Sequence, residues 1–290
     1  MAGRYFIADA YTSQPFAGNP AGVCITDTPV TDRWMQDVAR EMNLSETAFL
    51  SKTEDGWDIR WFTPQVEVTL CGHATCAAAH ILVQEGEEEE GTDIRFSSRG
   101  GPLIAASEPC TSGDTGGSQS LNMGTVTLTF PALPATPAPV PDGLEKALGV
   151  PVEDFCISSM DWLVRTGGAM MVEAAEPDMA AIAAMPPRGI ILTGAADGGR
   201  YDIVSRFFAP KIGIPEDPVT GSAHCVLGPY WQHLTGRNRF HAFQASRRGG
   251  ELIVEVLEEG KGGDKTEEGT TGRRVILTGN AITVMKGTLT

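Results

Sequence analysis

Apolar and polar positions alternate with a period of two over much of the chain, so most of the elements it predicts are short strands. Residues 4–11 carry Tyr5, Phe6 and Ile7 and predict a strand; the Phe16-Ala17-Gly18-Asn19-Pro20 run is a turn signal, and strand resumes over 21–25. Further strands are predicted over 57–62, 94–96, 103–106 and 126–130, and in the second half over 155–158, 162–165, 190–192, 201–208, 251–257, 274–277 and 281–286. Helical spacing is rarer. Trp34, Met35, Val38 and Met42 make one apolar stripe on a helix over 32–42 that Thr31 caps. Residues 144–148 and 179–185 predict two short helices. Two others are built of small residues: one opens at Gly72 and runs through Cys76-Ala77-Ala78-Ala79, and one opens at Gly221 and meets Pro229, where it should end or kink.

The chain states one motif twice, about 150 residues apart. Arg60-Trp61-Phe62-Thr63-Pro64 returns as Arg206-Phe207-Phe208-Ala209-Pro210. Cys71-Gly72-His73-Ala74-Thr75-Cys76 returns as Thr220-Gly221-Ser222-Ala223-His224-Cys225, with the second spacing three residues longer. Two copies this far apart describe a duplicated domain, not a solenoid. Many short strands with one small-residue helix per half predict two similar α+β domains, each wrapping a sheet around a central helix. Residues 131–141 hold five prolines and read as a stiff linker. The expected domains are therefore 1–130 and 142–280, with a strand over 281–290 free to return to the first.

Composition narrows the function. The 290 residues are ample for two domains, and the net charge of −15 argues against nucleic acid, which this surface would repel. It does not argue against a small anion bound by local amides and dipoles. No run of eighteen apolar residues exists and residues 1–7 enter a strand at once, so neither a membrane span nor a signal peptide is expected. Six cysteines at 24, 71, 76, 110, 156 and 225, without a C-x-x-C pair, point to reduced thiols in the cytoplasm. Cys71, His73, Cys76 and His80 are close in sequence, but a helix between them should aim them apart, so no metal is expected. The acidic run 85–90 reads as a solvated turn, and the hydrophilic stretches 107–120 and 258–272 as a mobile loop and an unstructured insertion.

Each copy of the motif sets a glycine at a helix N-terminus, where free amides and the positive end of the dipole favour an anion. The amides of Gly72, His73, Gly221 and Ser222 are candidates to hold a carboxylate. Glu46, between a helix end and an apolar strand, is either a solvated turn residue or a general base whose pKa partial burial raises. His73 lies in a first helical turn, which should favour the neutral imidazole; it is a structural cap or a catalytic partner. Asp217 precedes Pro218 near the second terminus, as a turn residue or an acid/base group. Cys71 should have a lowered pKa just before a helix. Its counterpart is Thr220, so racemisation by two facing thiols is disfavoured. Cys76 and Cys225 read as small core residues.

Asn19-Pro20, Asn43-Leu44-Ser45-Glu46-Thr47, Phe62-Thr63-Pro64, Cys71-Gly72-His73-Ala74-Thr75 and Glu216-Asp217-Pro218-Val219-Thr220-Gly221-Ser222 resemble the phenazine-biosynthesis-like (PhzF) isomerase family, in order and over nearly the full chain. The resemblance implies the diaminopimelate epimerase-like α+β fold of two pseudo-symmetric domains, each a barrel-like, mostly antiparallel sheet around a central helix, with an active site in the cleft between them, proton transfer without metal or cofactor, and a homodimer. It implies Glu46 as the acid/base that moves the proton, with His73 and Asp217 assisting. Asn19, Gly72, His73, Thr220, Gly221 and Ser222 would bind the substrate, a small carboxylate. Cys71 departs from the phenazine enzyme, which has a small residue there, and matches the place where the epimerases carry a thiol. The expectation is a cofactor-free isomerase. The alternatives are a one-thiol epimerase or racemase using Cys71, and a non-catalytic module binding a small ligand or a protein.

Overall fold

A computed structural model describes residues 3–108, 123–257 and 272–289 of the chain. It forms two compact units, Met1–Thr129 with Thr278–Thr290, and Phe130–Leu277. Cys110 and most of the two hydrophilic stretches (109–120 and 258–271) lie outside the described residues. Ser107 and Glu108, expected in the first loop, instead complete a strand.

In the first unit the elements run β1 (Gly3–Ala10), β2 (Asn19–Ile25), α1 (Asp32–Met42), β3 (Glu46–Thr53), β4 (Gly56–Phe62), β5 (Glu67–Val68), α2 (Gly72–Gln84), β6 (Asp93–Ser97), β7 (Leu103–Glu108) and β8 (Met123–Pro131), the last reaching past the boundary. A long final strand of the chain, Arg274–Leu289, supplies its residues from Thr278 onward. The order β1-β2-β3-β4-β6-β7-β8 continues into that final strand, which pairs back onto β1 with Ala10 opposite Ala281. Eight strands thus close a barrel. Closure removes the exposed strand edges, and α2 fills the interior, packing on β1, β2, β3 and β7. Ten of the thirteen α2 residues are buried. A helix apolar all round is one buried all round, and Ala74, Cys76, Ala77, Ala78 and Ala79 let the wall approach it. On the outer side, Met35 and Ala39 of α1 pack against Tyr5, Cys24, Phe49 and Phe62.

The second unit continues with β9 (Thr136–Pro137), α3 (Leu144–Leu148), β10 (Asp154–Ile157), β11 (Asp161–Arg165), α4 (Ala169–Ala174), α5 (Met179–Ala183), β12 (Gly189–Ala195), β13 (Ile203–Phe208), α6 (Gly221–Thr235), β14 (Arg239–Gln244), β15 (Gly250–Leu257) and the start of the final strand, β16. The path β9-β10-β11-β12-β13-β14-β15-β16 is open among the described residues. From β10 to β15 the pairs run antiparallel, parallel, antiparallel, parallel, antiparallel. The sequence from β1 through β4, β6 and β7 is the same. Duplication is therefore visible in the topology as well as the motif. Leu144, Leu148, Val172 and Ile182 from α3–α5 pack with Phe155, Ile190 and Phe208 of the sheet.

Four readings need correction. First, α6 runs through Pro229 to Thr235. Proline has no N–H for the carbonyl four residues back, but that carbonyl, on Cys225, accepts from Leu133 N–H at 3.0 Å. Gly228 beside it lets the helix close on the sheet, because a Cβ there would stand 3.0 Å from Val254 Cγ1. Second, the proline-rich segment, expected as a stiff linker, carries pairings of its own: β9 pairs with β10, and Ala132 N–H donates to Arg273 O at 2.9 Å. Third, the acidic run is only partly solvated. Glu85 ion-pairs with Lys286 at 2.7 Å, Glu87 accepts from Arg4 at 2.7 Å, and Trp57 Nε1 donates to Glu88 at 2.8 Å. Fourth, the final strand is continuous where two were expected, and β14 and α4 were not anticipated. No helix among the described residues is long and apolar enough to cross a membrane.

Candidate functional site

The first cluster assembles from three chain segments of the first unit. Asn43 ends α1 in the left-handed region at φ 52°, with its N–H on Ala39 O at 3.1 Å. Asparagine tolerates that conformation, and the turn delivers Ser45 and Glu46 to the mouth of β3. Parallel pairing sets Glu46 against Ala21 of β2. The N-terminus of α2 brings Cys71 and His73 alongside.

Glu46 Oε2 lies 3.2 Å from His73 Nε2, and Ser45 Oγ lies 3.3 Å from the same nitrogen. Asn19 Nδ2 donates to His73 Nδ1 at 3.3 Å, which places the proton of a neutral ring on Nε2, facing Glu46. Turning the Asn19 amide to present its oxygen would accept a second proton on Nδ1 without changing the shape of the pocket. Asn19 is fully buried and backs the His73 ring. Cys71 Sγ is 3.6 Å from His73 Nδ1.

All three titrating groups behave opposite to expectation. Burial pushes Glu46 up, but the hydrogen bond to His73, the imidazolium charge and bonds from Ser45 and Cys71 outweigh it and hold the carboxylate below its ordinary value. Burial pushes His73 down, yet the neighbouring Cys71 sulfur and the Glu46 carboxylate carry it well above the ordinary histidine value, overriding the helix dipole. Cys71 is raised, by burial first and by the Glu46 charge second. A thiol that stays protonated contributes no negative charge, so the Glu46 carboxylate is the partner that keeps His73 protonated. The resting cluster is an ion pair beside a thiol.

Of the four residues judged too divergent for a metal, Cys71 and His73 do converge, with Glu46 as the third group: their ligating atoms lie within 4.8 Å of one another. A carboxylate, an imidazole and a thiol are a donor set that zinc accepts. Cys76 is fully buried and pushed up to about 12 by burial, and His80 Nε2 bonds Thr283 Oγ1 at 3.0 Å. The five described cysteines are free and buried.

The second cluster lies in the second unit. Asp217 is buried and accepts from Thr220 Oγ1. Gln244, fully buried on β14, donates to the Asp217 carbonyl at 2.7 Å and accepts from Thr220 N–H at 2.9 Å. The Thr220 side chain is thereby turned away from capping α6, and no acidic residue stands in the first turn of that helix. His224 repeats the bond of Thr75: each donates to the carbonyl four residues back, at 2.8 Å to Thr220 O and 2.6 Å to Cys71 O. Burial pushes His224 down to about 4, so it is neutral.

Gln244 carried no signal in the sequence, and Ser45 only its place in the Asn43–Thr47 motif. One further pair did carry a signal. Arg60 holds Glu67 through both carboxylate oxygens at 2.7 and 2.8 Å, and Arg206 holds Glu216 at 2.7 and 3.1 Å. Each glutamate stands four residues before Cys71 or Thr220, so this second fixed spacing within the repeat could have found them. These forks pin the loops that deliver the two helix termini.

A closed barrel around a small-residue helix, with an open copy of it, is an epimerase-like fold, and its relatives make the chain an isomerase-type enzyme. The chain belongs to the phenazine biosynthesis-like protein family, which matches residues 8–287. It is 39% identical to a protein of Halalkalibacterium halodurans named an uncharacterized isomerase, over 100% of this chain and 99% of that one. The crystal structure of a PhzF-family phenazine biosynthesis protein of Enterococcus faecalis matches with a TM-score of 0.86 at 34% identity, covering 100% of both chains. A hydroxyproline epimerase of Agrobacterium vitis shares the fold alone, with a TM-score of 0.61 at 11% identity over 99% of this chain and 92% of its own.

Proposed function

We propose that the enzyme isomerises a small carboxylate by proton transfer, with Glu46 as the group that moves the proton and with neither metal nor cofactor. The observation that carries this reading is the Glu46–His73 pair, 3.2 Å apart with the carboxylate only 13% exposed. An ionised carboxylate held in such a pocket can take a proton from carbon and return it at a second position. The adjacent imidazolium stabilises the anionic form before transfer and is positioned to answer the charge that develops after it. In the first unit the amides of Gly72 and His73 are the donors for a carboxylate; in the second, Asp217 is the assisting acid/base group and the amides of Gly221 and Ser222 are the corresponding donors.

The test is deuterium incorporation from D2O over a panel of small carboxylates, among them dihydro-hydroxyanthranilate and several amino and hydroxy acids. Deuterium should enter at carbon in one compound, and Glu46→Gln should lower that rate on the order of 10²–10⁴-fold. Unchanged exchange in the variant would remove Glu46 from the role. No exchange in any compound, with ligands still raising the melting temperature, would replace the enzyme by a binding protein.

A further inference from the structure

Arg188 stands between the Pro186-Pro187 pair and β12. Its Nε and Nη2 donate to the two carboxylate oxygens of Asp161 at 2.9 and 2.6 Å. The Asp161 side chain has no solvent exposure, whereas that of Arg188 is 32% exposed. A buried carboxylate thus fixes the plane of a guanidinium whose other side reaches solvent. Nη2 also donates to Ser222 Oγ at 3.1 Å, and the guanidinium carbon lies 5.5 Å from the Phe207 ring centroid. Nη1 makes no hydrogen bond among the described residues, and the Ser222 hydroxyl, accepting from Arg188, keeps its own hydrogen to donate.

This grouping has a counterpart in the first unit. Parallel pairing sets Ala21 opposite Glu46 in one unit and Asp161 opposite Gly189 in the other. Gly189 therefore occupies the register of Glu46, and Arg188 that of Ser45. Ser222 occupies the place of His73, second in its helix. The same contact recurs with different chemistry: Ser45 meets His73 at 3.3 Å, and Arg188 meets Ser222 at 3.1 Å. The second copy has lost the proton-moving carboxylate and imidazole and gained a cation and a hydroxyl. Beyond the bonds to Asp161, it leaves two groups able to donate, Arg188 Nη1 and the Ser222 hydroxyl.

The electrostatics favour an anionic ligand. A guanidinium beside the start of α6 adds positive charge to the positive end of a helix dipole, a placement that disfavours folding unless something compensates. Asp161 compensates in part and locks the side chain. The donors left over, Nη1 and the Ser222 hydroxyl, call for an acceptor ligand, and a carboxylate has two acceptor oxygens.

We infer that Arg188 and Ser222 form a carboxylate-recognition site, the second copy carrying a guanidinium and a hydroxyl where the first carries Ser45 and His73. The inference relies on the proposed function for one thing, that the ligand is a small carboxylate.

The experiment is calorimetric titration of the full chain with benzoate, anthranilate and succinate, with benzamide as the uncharged control. The variants are Arg188→Lys, Arg188→Met, and Arg188→Met combined with Asp161→Asn so that no unpaired charge stays buried. Affinity for at least one carboxylate should fall tenfold or more in the double variant and less in Arg188→Lys, while benzamide binding is unaltered. Glu46→Gln should retain the carboxylate affinity, so loss of the proton-transfer reading and loss of this one are told apart. With a turned-over substrate, Arg188→Lys should raise KM more than it lowers kcat. A folded double variant that binds every carboxylate as the wild type does, or a wild type that binds none, overturns the inference.

Discussion

The carboxylate of Glu46 and the imidazole of His73 meet at 3.2 Å with side chains only 13% and 7% exposed. Their titrations bracket a pH window. Glu46 is held below its ordinary 4.5, so its contribution to stability is present above 4.5 and is lost as pH falls through the lowered value. His73 is held well above 6.5, so its contribution is full below 6.5 and is lost as pH rises through the raised value. The pair should therefore stabilise the fold across mildly acidic and neutral pH and weaken on the alkaline side. Glu46→Gln removes the charge that raises His73, and should cost about 1.5–3 kcal/mol within the window, the scale of a charge-assisted hydrogen bond. Melting temperatures from about pH 3 to about pH 9, for wild type and variant, measure this. Parallel curves would mean that the pair is not ionised.

Cys71 is the group whose behaviour the helix position foretold wrongly. A thiol at a helix start is expected to be acidic, but this one is 7% exposed and faces the Glu46 charge, and both raise its pKa. Iodoacetamide should label it slowly at neutral pH and faster as pH rises. Cys71→Ala should keep turnover within about tenfold, the residual effect coming from repacking around His73. Loss of exchange as complete as in Glu46→Gln would restore the one-thiol reading.

The repeat, the two small-residue helices and the helix-start glycines were legible in the sequence because each depends on local spacing and side-chain size. Glu46, His73 and Cys71 could be named, but their charges could not be read, since those depend on which groups face one another once β3 and α2 are packed. Burial alone would raise Glu46, and the dipole alone would lower His73; the contact between them reverses both. Arg188 was hidden for a related reason. Its neighbours in sequence are two prolines and a glycine, and its partners, Asp161 and Ser222, are 27 and 34 residues away. The passage of α6 through Pro229 required knowing that Leu133 N–H would take the carbonyl that proline leaves free.

The size limit inside the barrel carries the last prediction. Ala77, Ala78 and Ala79 are each fully buried on α2, the helix enclosed by the eight strands of the first unit. Alanine has the best helix propensity, so the helix loses nothing locally by this choice. A leucine is also a good helix former, and on propensity alone Ala78→Leu would be nearly silent. Inside a closed wall it must push strands apart or leave its rotamer, which costs about 1–3 kcal/mol. The melting midpoint should therefore drop in Ala78→Leu. The matched control is Glu41→Leu on the exposed side of α1, where the change should stay within about 0.5 kcal/mol. Equal, small effects at both positions would show that the barrel has room to spare, and that residue size on α2 reflects something other than the closeness of its wall.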